Sequence, residues 1–211
     1  MRKGPLRIHQ CRYLGGARWM SEYPAASLPE IAFFGRSNVG KSSLINKLAG
    51  RRITRVSRTP GRTQRAHFFE LNGAVVFVDL PGYGYAKAPA RVRKELAEII
   101  ESYLTARRPL ELAALIVDTR HDPTRQDLQM HERLVARGLR VQIVTTKVDK
   151  LSRQQRDVSL SRSRRLMGCE HIIPFSSETG EGKRGLWQAI ENQIAAGKHR
   201  RETSPMGEAR S

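Results

Sequence analysis

The sequence predicts an α/β domain built on a six-stranded, mostly parallel sheet with one antiparallel strand and helices on both faces. Three observations lead there. Short β-branched and aromatic runs alternate with amphipathic stretches through the middle of the chain. The dipeptide Asn72-Gly73 separates two of those runs and marks a tight hairpin, so that pair runs antiparallel. The length, 211 residues, suits one such domain with tails, and it buries enough surface to fold without disulfides or a structural metal.

Residues 1–27 mix basic and aromatic side chains without a clear period and read as a basic N-terminal arm, with room for a short strand or helix, leading into the domain. The main domain is expected over 28–196. Strands are expected at 31–34, 66–71, 74–79, 112–118, 140–145 and 172–175, and helices at 42–49, 90–106, 124–137, 152–166 and 183–196. In the second helix Leu96, Ile99, Ile100, Tyr103 and Leu104 share one apolar face at i, i+3, i+4, i+7 and i+8. Residues 197–211 are polar, carry Pro205 and Gly207, and are expected to form a disordered tail.

Composition narrows the class. Only Cys11 and Cys169 occur, far apart and without metal-ligand spacing, which argues against a disulfide scaffold or zinc module. No apolar run reaches the roughly 18 residues of a membrane span, and a cytoplasmic location is expected. The chain holds 38 Lys+Arg against 20 Asp+Glu, a formal net charge of +18. Such a charge suits a polyanionic partner, since basic surfaces bind nucleic acid through counterion release. An arginine-rich solvated surface is the other reading.

Chemistry enters straight after the first expected strand, with Gly35-Arg36-Ser37-Asn38-Val39-Gly40-Lys41-Ser42-Ser43. This fits the phosphate-binding pattern G-x-x-x-x-G-K-[ST] in its required setting, strand before and helix after. Gly35 and Gly40 let the backbone turn its N–H groups toward phosphates, and the helix that follows adds the positive end of its dipole. Lys41 is placed to neutralise the β- and γ-phosphates and Ser42 to ligate magnesium. A nucleoside triphosphate is the expected ligand.

Further boxes follow in order at strand ends. Asp79-Leu80-Pro81-Gly82 supplies a carboxylate that can hold magnesium through water and a glycine N–H that can meet the γ-phosphate. Thr146-Lys147-Val148-Asp149 supplies a carboxylate able to accept from both guanine N1–H and its 2-amino group, which adenine cannot offer. Lys147 would lie along the base, and the Phe175-Ser176-Ser177 loop can meet guanine O6 through backbone N–H groups.

These boxes resemble the P-loop GTPases, and more closely the EngB (YihA/YsxC) branch of the TrmE-Era-EngA-EngB-septin-like class. The branch-specific stretches are PEIAFFGRSNVGKSSLIN (29–46), TPGRTQ (59–64), DLPGYGYAK (79–87), the set Asp118, Arg120, His121, Pro123, Asp127 and Met130, then TKVDK (146–150) and FSS (175–177). The resemblance covers about residues 25–196 and implies the P-loop GTPase fold. It implies that Thr63 ligates magnesium when GTP is bound, with Gly61, Arg62, Gln64 and Arg65 around it in the first switch. It implies a catalytic role for Lys41, Thr63 and Gly82. Two positions depart from the commoner pattern: Thr146 stands where most GTPases have Asn, and Arg133 where the family often has Trp.

Small GTPases orient the attacking water with a Gln directly after D-x-x-G; here Tyr83 stands there, so slow intrinsic hydrolysis is expected. Asn38 occupies the loop position at which several relatives of this class hold a potassium ion, and two readings stand: potassium-stimulated hydrolysis, or an Asn that only orders the loop. His67 and His121 read as structural or surface histidines.

The excess charge is uneven. Between Ile31 and Phe69 there are nine basic residues and no acid; beyond Arg36 and Lys41 these are Lys47, Arg51, Arg52, Arg55, Arg58, Arg62 and Arg65. A second cluster, Arg153, Arg156, Arg162, Arg164 and Arg165, lies on one expected helix. The resemblance implies a role in large ribosomal subunit assembly and normal cell division, with GTP and GDP as ligands, rRNA or the large subunit as partner, and a monomer as the acting form. The alternatives are a non-catalytic GTP-dependent switch acting on a division protein, and an ATPase of the same fold.

Overall fold

A seven-stranded sheet runs through the molecule, in the computed structural model that describes residues 7–54, 64–84, 88–107 and 109–203, with side chains as far as Arg200. The strands are β1 (Cys11–Ala17), β2 (Glu30–Gly35), β3 (Ala66–Leu71), β4 (Val75–Asp79), β5 (Leu110–Asp118), β6 (Val141–Thr146) and β7 (Ile172–Pro174). The helices are α1 (Lys41–Ala49), α2 (Ala90–Ala106), α3 (Arg125–Ala136), α4 (Arg153–Met167) and α5 (Lys183–Thr203). Spatial order is β1-β3-β4-β2-β5-β6-β7, and β3 alone runs against the rest. In a parallel sheet every crossover returns the chain to the same edge. The segments that follow β2, β4, β5, β6 and β7 therefore gather at one rim.

The expected hairpin forms: Asn72 and Gly73 both have positive φ, 53° and 62°, and the Ala74 N–H donates to the Leu71 carbonyl. That is the backbone of a type I′ turn, which matches the twist of the strands it joins. Asn72 has a second task. Its Oδ1 accepts the N–H groups of His9 and Gln10 while its Nδ2 donates to the Arg7 carbonyl, so the turn holds the chain that enters β1.

Two expectations need correcting. The sheet has seven strands, not six, because the arm, with its room for a short strand or helix, contributes β1 on its edge. A mostly half-buried edge strand containing Gly15 and Gly16 carries little apolar alternation, so pattern alone does not distinguish it. The last helix does not stop before Gly197 but continues to Thr203. Gly197 sits against Glu111, where a Cβ would come within 2.2 Å of the carboxylate, and one turn later Arg200 donates to that same carboxylate at 2.8 Å. Close approach to β5 accounts for a glycine inside the helix. Residues 204–211 lie outside the described residues.

Alternation along the strands divides the core. Ile31 and Phe33 join Leu44, Ile45, Leu48, Leu186, Trp187 and Ile190 beneath α1 and α5. Ala32 and Phe34 turn the other way, toward Ile99, Ile100, Tyr103, Met130, Leu134 and Leu160 from α2, α3 and α4. Trp187 stacks on Phe77 with centroids 5.5 Å apart, and its Nε1 donates to the Leu48 carbonyl. Glu30 carries a buried charge in this frame: 1% exposed, it accepts from the Tyr103 hydroxyl and from Nε and Nη2 of Arg107. Arg107 also lies 5.6 Å from the ring centroids of Tyr23 and Phe68.

A buried carboxylate stripped of its cation is far costlier than the pair replaced as a unit. Arg107→Ala is expected to lower stability by about 3–5 kcal/mol in urea unfolding. The double variant Glu30→Leu/Arg107→Met is expected to lose less than the single one.

Candidate nucleotide-binding site

The phosphate-binding segment leaves β2 at Gly35, where a Cβ would fall 2.9 Å from the Ile116 carbonyl oxygen and 3.0 Å from Val39 Cγ2. Only glycine lets the strand end this close to β5. The loop then curls through left-handed conformations at Asn38 (φ 65°) and Gly40 (φ 97°), with Val39 buried between them. Helix α1 begins at Lys41 without a side-chain cap. The first N–H groups of a helix have no intrahelical acceptor, so with the loop amides they present donors and positive dipole to an anion. Arg36, Ser37, Ser42 and Ser43 complete the segment, each half-buried.

Lys41 is buried and forms an ion pair with Asp79, itself buried at the end of β4. The loop lysine and the carboxylate of the second box therefore meet at one point on the rim. Leu80 and Pro81 are buried behind them. Gly82 packs on the loop so closely that a Cβ would lie 3.0 Å from both Ser37 N and Oγ. Tyr83 closes the contact: its carbonyl accepts the Ser37 N–H at 3.0 Å, and its N–H donates to the Gly35 carbonyl at 3.3 Å.

At the other end of the loop, Thr146 donates its hydroxyl proton to the Val39 carbonyl, and the Val117 carbonyl lies 3.2 Å from the same oxygen. Lys147, in a left-handed conformation, donates to the Asn38 carbonyl at 2.8 Å and to the Asp118 carboxylate at 2.7 Å. Asp118 also takes the Arg120 guanidinium and backbone N–H. Burial pushes the Asp118 pKa up, but the hydrogen bonds from Arg120 and Lys147 outweigh it and bring it to about 2. Val148 is buried beneath this turn, with its N–H directed to the Phe175 carbonyl. The Ser176 hydroxyl donates to Asp149 at 2.6 Å, which holds that carboxyl below its ordinary range and fixes its orientation. Because the Ser176 N–H is taken by the Glu181 carbonyl, Ser177 is the serine whose N–H can face a ligand.

Loop, second box and both base-reading boxes are thus gathered at one rim. Gly61, Arg62 and Thr63 lie outside the described residues. Gln64 and Arg65 direct their polar contacts to the β1 side: Gln64 accepts from Arg18, while Arg65 donates to the Gly16 carbonyl and lies 3.8 Å from Glu22. His67 has Nδ1 2.9 Å from the Tyr13 hydroxyl, and burial lowers its pKa, as fits a structural histidine. Among the described residues no three His, Cys, Asp or Glu side chains cluster. Two described groups on this rim could hold a metal ion: the half-buried Ser42 hydroxyl on α1 and the buried Asp79 carboxylate at the end of β4.

Sequence reasoning missed two fastenings. Asn46 Oδ1 accepts the N–H groups of Ile53 and Thr54, and the Thr54 hydroxyl donates to the Ser42 carbonyl, stapling the approach of the first switch to α1. The Tyr83 hydroxyl donates to Asp127 at 3.0 Å. Both residues stand in the quoted family stretches, which is the one signal that could have paired them.

Comparison with known proteins agrees with this geometry. A family model described as "50S ribosome-binding GTPase" matches residues 30–147. The probable GTP-binding protein EngB of Geobacter metallireducens is 42% identical over 202 residues, 94% of this chain and 99% of that one. Its counterpart from Desulforamulus reducens is 47% identical over 177 residues, 82% and 86% of the two chains. The crystal structure of a probable GTP-binding protein EngB superposes with a TM-score of 0.69 at 24% identity, covering 79% of this chain and 99% of that one. Era in complex with MgGDPNP and a segment of 16S ribosomal RNA gives 0.63 at 19% identity, over 89% of this chain and 60% of that one. These two structural likenesses establish the P-loop GTPase fold.

Asp118 links site and stability. A carboxyl whose pKa falls from 3.8 to about 2 on folding stabilises the fold above pH 3.8, and the contribution is lost as pH falls toward 2. Asp118→Asn is expected to cost about 2 kcal/mol at pH 7. Urea unfolding of both proteins should show that difference closing between pH 4 and pH 2.

Proposed function

We propose a function from one premise: the chain belongs to the EngB family of P-loop GTPases. It hydrolyses GTP to GDP and phosphate, and it serves as a nucleotide-dependent switch in assembly of the large ribosomal subunit, needed for normal division and septation. One observation carries the reading. The Lys41–Asp79 pair closes the phosphate-binding loop, and the box that ends in Asp149, itself oriented by Ser176, is fastened to that same loop through Thr146 and Lys147, which brings a triphosphate site and a guanine site side by side.

In this reading Asp149 accepts from the base, Lys147 lies along it and the Ser177 N–H meets its O6. The amides of residues 36–43 hold the phosphates, Lys41 neutralises them, and the Gly82 N–H meets the γ-phosphate. Ser42, Thr63 and, through water, Asp79 hold magnesium, which neutralises charge as the phosphoryl group transfers. Turnover is slow, because the Tyr83 hydroxyl is committed to Asp127 and does not orient water. A potassium ion held at Asn38, which is exposed in the phosphate-binding loop, is the stimulant in this reading. The active form is a cytoplasmic monomer.

For the partner, the description of the matching family as ribosome-binding is the support, together with unneutralised charge. On α4, Arg156 and Arg162 are paired with Glu181 and Asp122, whereas Arg153, Arg164 and Arg165 are exposed and make no ion pair among the described residues. Such arginines suit phosphate contacts. Sedimentation of cell extract with a GTP analogue or with GDP tests this. Salt-sensitive co-migration with the large subunit is expected only with the analogue, and replacing the three arginines by Gln should lower the salt slope by about one per phosphate contact. Co-migration indifferent to nucleotide would overturn the switch. Its absence, with a division protein retained instead, would move the function to that partner.

A further inference from the structure

Directly after the second box, the chain passes through a narrow slot. On one side lies the phosphate-binding loop, bound by the two backbone hydrogen bonds of Tyr83 to Ser37 and Gly35. On the other lies the first turn of α3. Gly84 fits there only as glycine: with φ at 73°, a Cβ would come 2.3 Å from Gln126 Oε1 and 3.0 Å from Arg36 Nε. At the same place the Tyr83 side chain reaches Asp127, a carboxylate only 2% exposed.

The two oxygens of Asp127 divide their work. Oδ2 accepts from the N–H and the hydroxyl of Thr124, at 2.9 and 2.7 Å, as half of the capping box that starts α3. Oδ1 accepts from Tyr83. A carboxylate locked by a helix cap is a rigid anchor, unlike a side chain on a loop. Burial and the nearby Asp127 charge keep the Tyr83 phenol protonated well above its ordinary range, so it remains the donor.

We propose that Asp127 is a positioning residue for γ-phosphate recognition. Through the Tyr83 hydroxyl it holds the Gly82–Tyr83 backbone in register with the phosphate-binding loop, so the Gly82 N–H is set in place before the triphosphate arrives. The inference rests on the GTP-switch reading above and adds an assignment to it: Tyr83, at the position where a water-orienting Gln is usual, works through its contact with α3 and not on water. A cost follows from the geometry. Any partner that moves the first turn of α3 also moves the γ-phosphate sensor.

The test compares Tyr83→Phe, Asp127→Asn and the double variant with the unaltered full chain. The readouts are affinity for GDP, affinity for a non-hydrolysable GTP analogue, single-turnover hydrolysis and thermal melting. Each single variant should bind the analogue about tenfold more weakly, as for a lost hydrogen bond to a charged group, while GDP affinity changes less than about twofold. The double variant should lose no more than the worse single one, because the two groups act as one contact. Equal weakening of GDP and analogue, additive losses, or a fall in hydrolysis with the affinity ratio intact would each overturn the assignment. Asp127→Asn also weakens the helix cap; should it not fold, Tyr83→Phe, which spares the cap, decides alone through the affinity ratio. Failure of the GTPase reading is separable, because it would show as absent turnover or absent GTP binding in the unaltered chain.

Discussion

A loop that binds phosphate with its N–H groups must be held open by something other than its own side chains, and here the holding is done on its backbone from outside. The Val39 carbonyl takes the Thr146 hydroxyl, the Asn38 carbonyl takes Lys147, and the Gly35 carbonyl and Ser37 N–H pair with Tyr83. The left-handed conformation at Asn38, which has no glycine's freedom, carries a conformational cost that these fastenings offset. Thr146 and Lys147 open the box that ends in Asp149, and Tyr83 follows the box that ends in Gly82. Neighbouring backbone groups of one loop, residues 35–39, therefore tie the segment proposed to read the base to the segment proposed to sense the γ-phosphate. Preorganisation of this kind reduces the ordering cost at the moment of binding.

Buried charge is distributed with a division of labour. Glu30 with Arg107 and Tyr103 lies deep in the frame and fixes how the end of α2 meets β2. Lys41 with Asp79 lies buried at the rim where chemistry is expected, and beside it the half-buried Asp118 pairs with Lys147 and the exposed Arg120. Buried pairs seldom add net stability compared with apolar packing, so their placement at the rim is better read as keeping charged groups oriented. Arg153, Arg164 and Arg165 of α4 belong to a third class: they are exposed and make no ion pair among the described residues.

Much of the site was legible because its chemistry is local. Gly35 to Ser43 declares itself through spacing within nine residues, and Asn72-Gly73 through two. Asp79, Thr146 to Asp149 and Phe175 to Ser177 could be placed because each follows a strand of a parallel sheet, which sends all of them to one rim. What stayed hidden depends on tertiary contact. Strand β1 is an edge strand recognisable only by its pairing with β3. The continuation of α5 through Gly197 is explained by Glu111 on another strand, and the contact of Tyr83 with Asp127 joins residues 44 apart. Lys147 was expected along the base, and the structure adds its grip on the Asn38 carbonyl and on Asp118.

The coupling of base and phosphate segments through one loop is open to direct measurement by amide hydrogen exchange on the full chain and on Thr146→Ala. With GTP analogue bound, residues 35–41, 79–84 and 145–150 should gain protection together. Thr146→Ala, even saturated with nucleotide, should lose protection at 35–41 and with it at 79–84. Unchanged protection of 35–41 in that variant, or segments that respond one without the others, would contradict the account.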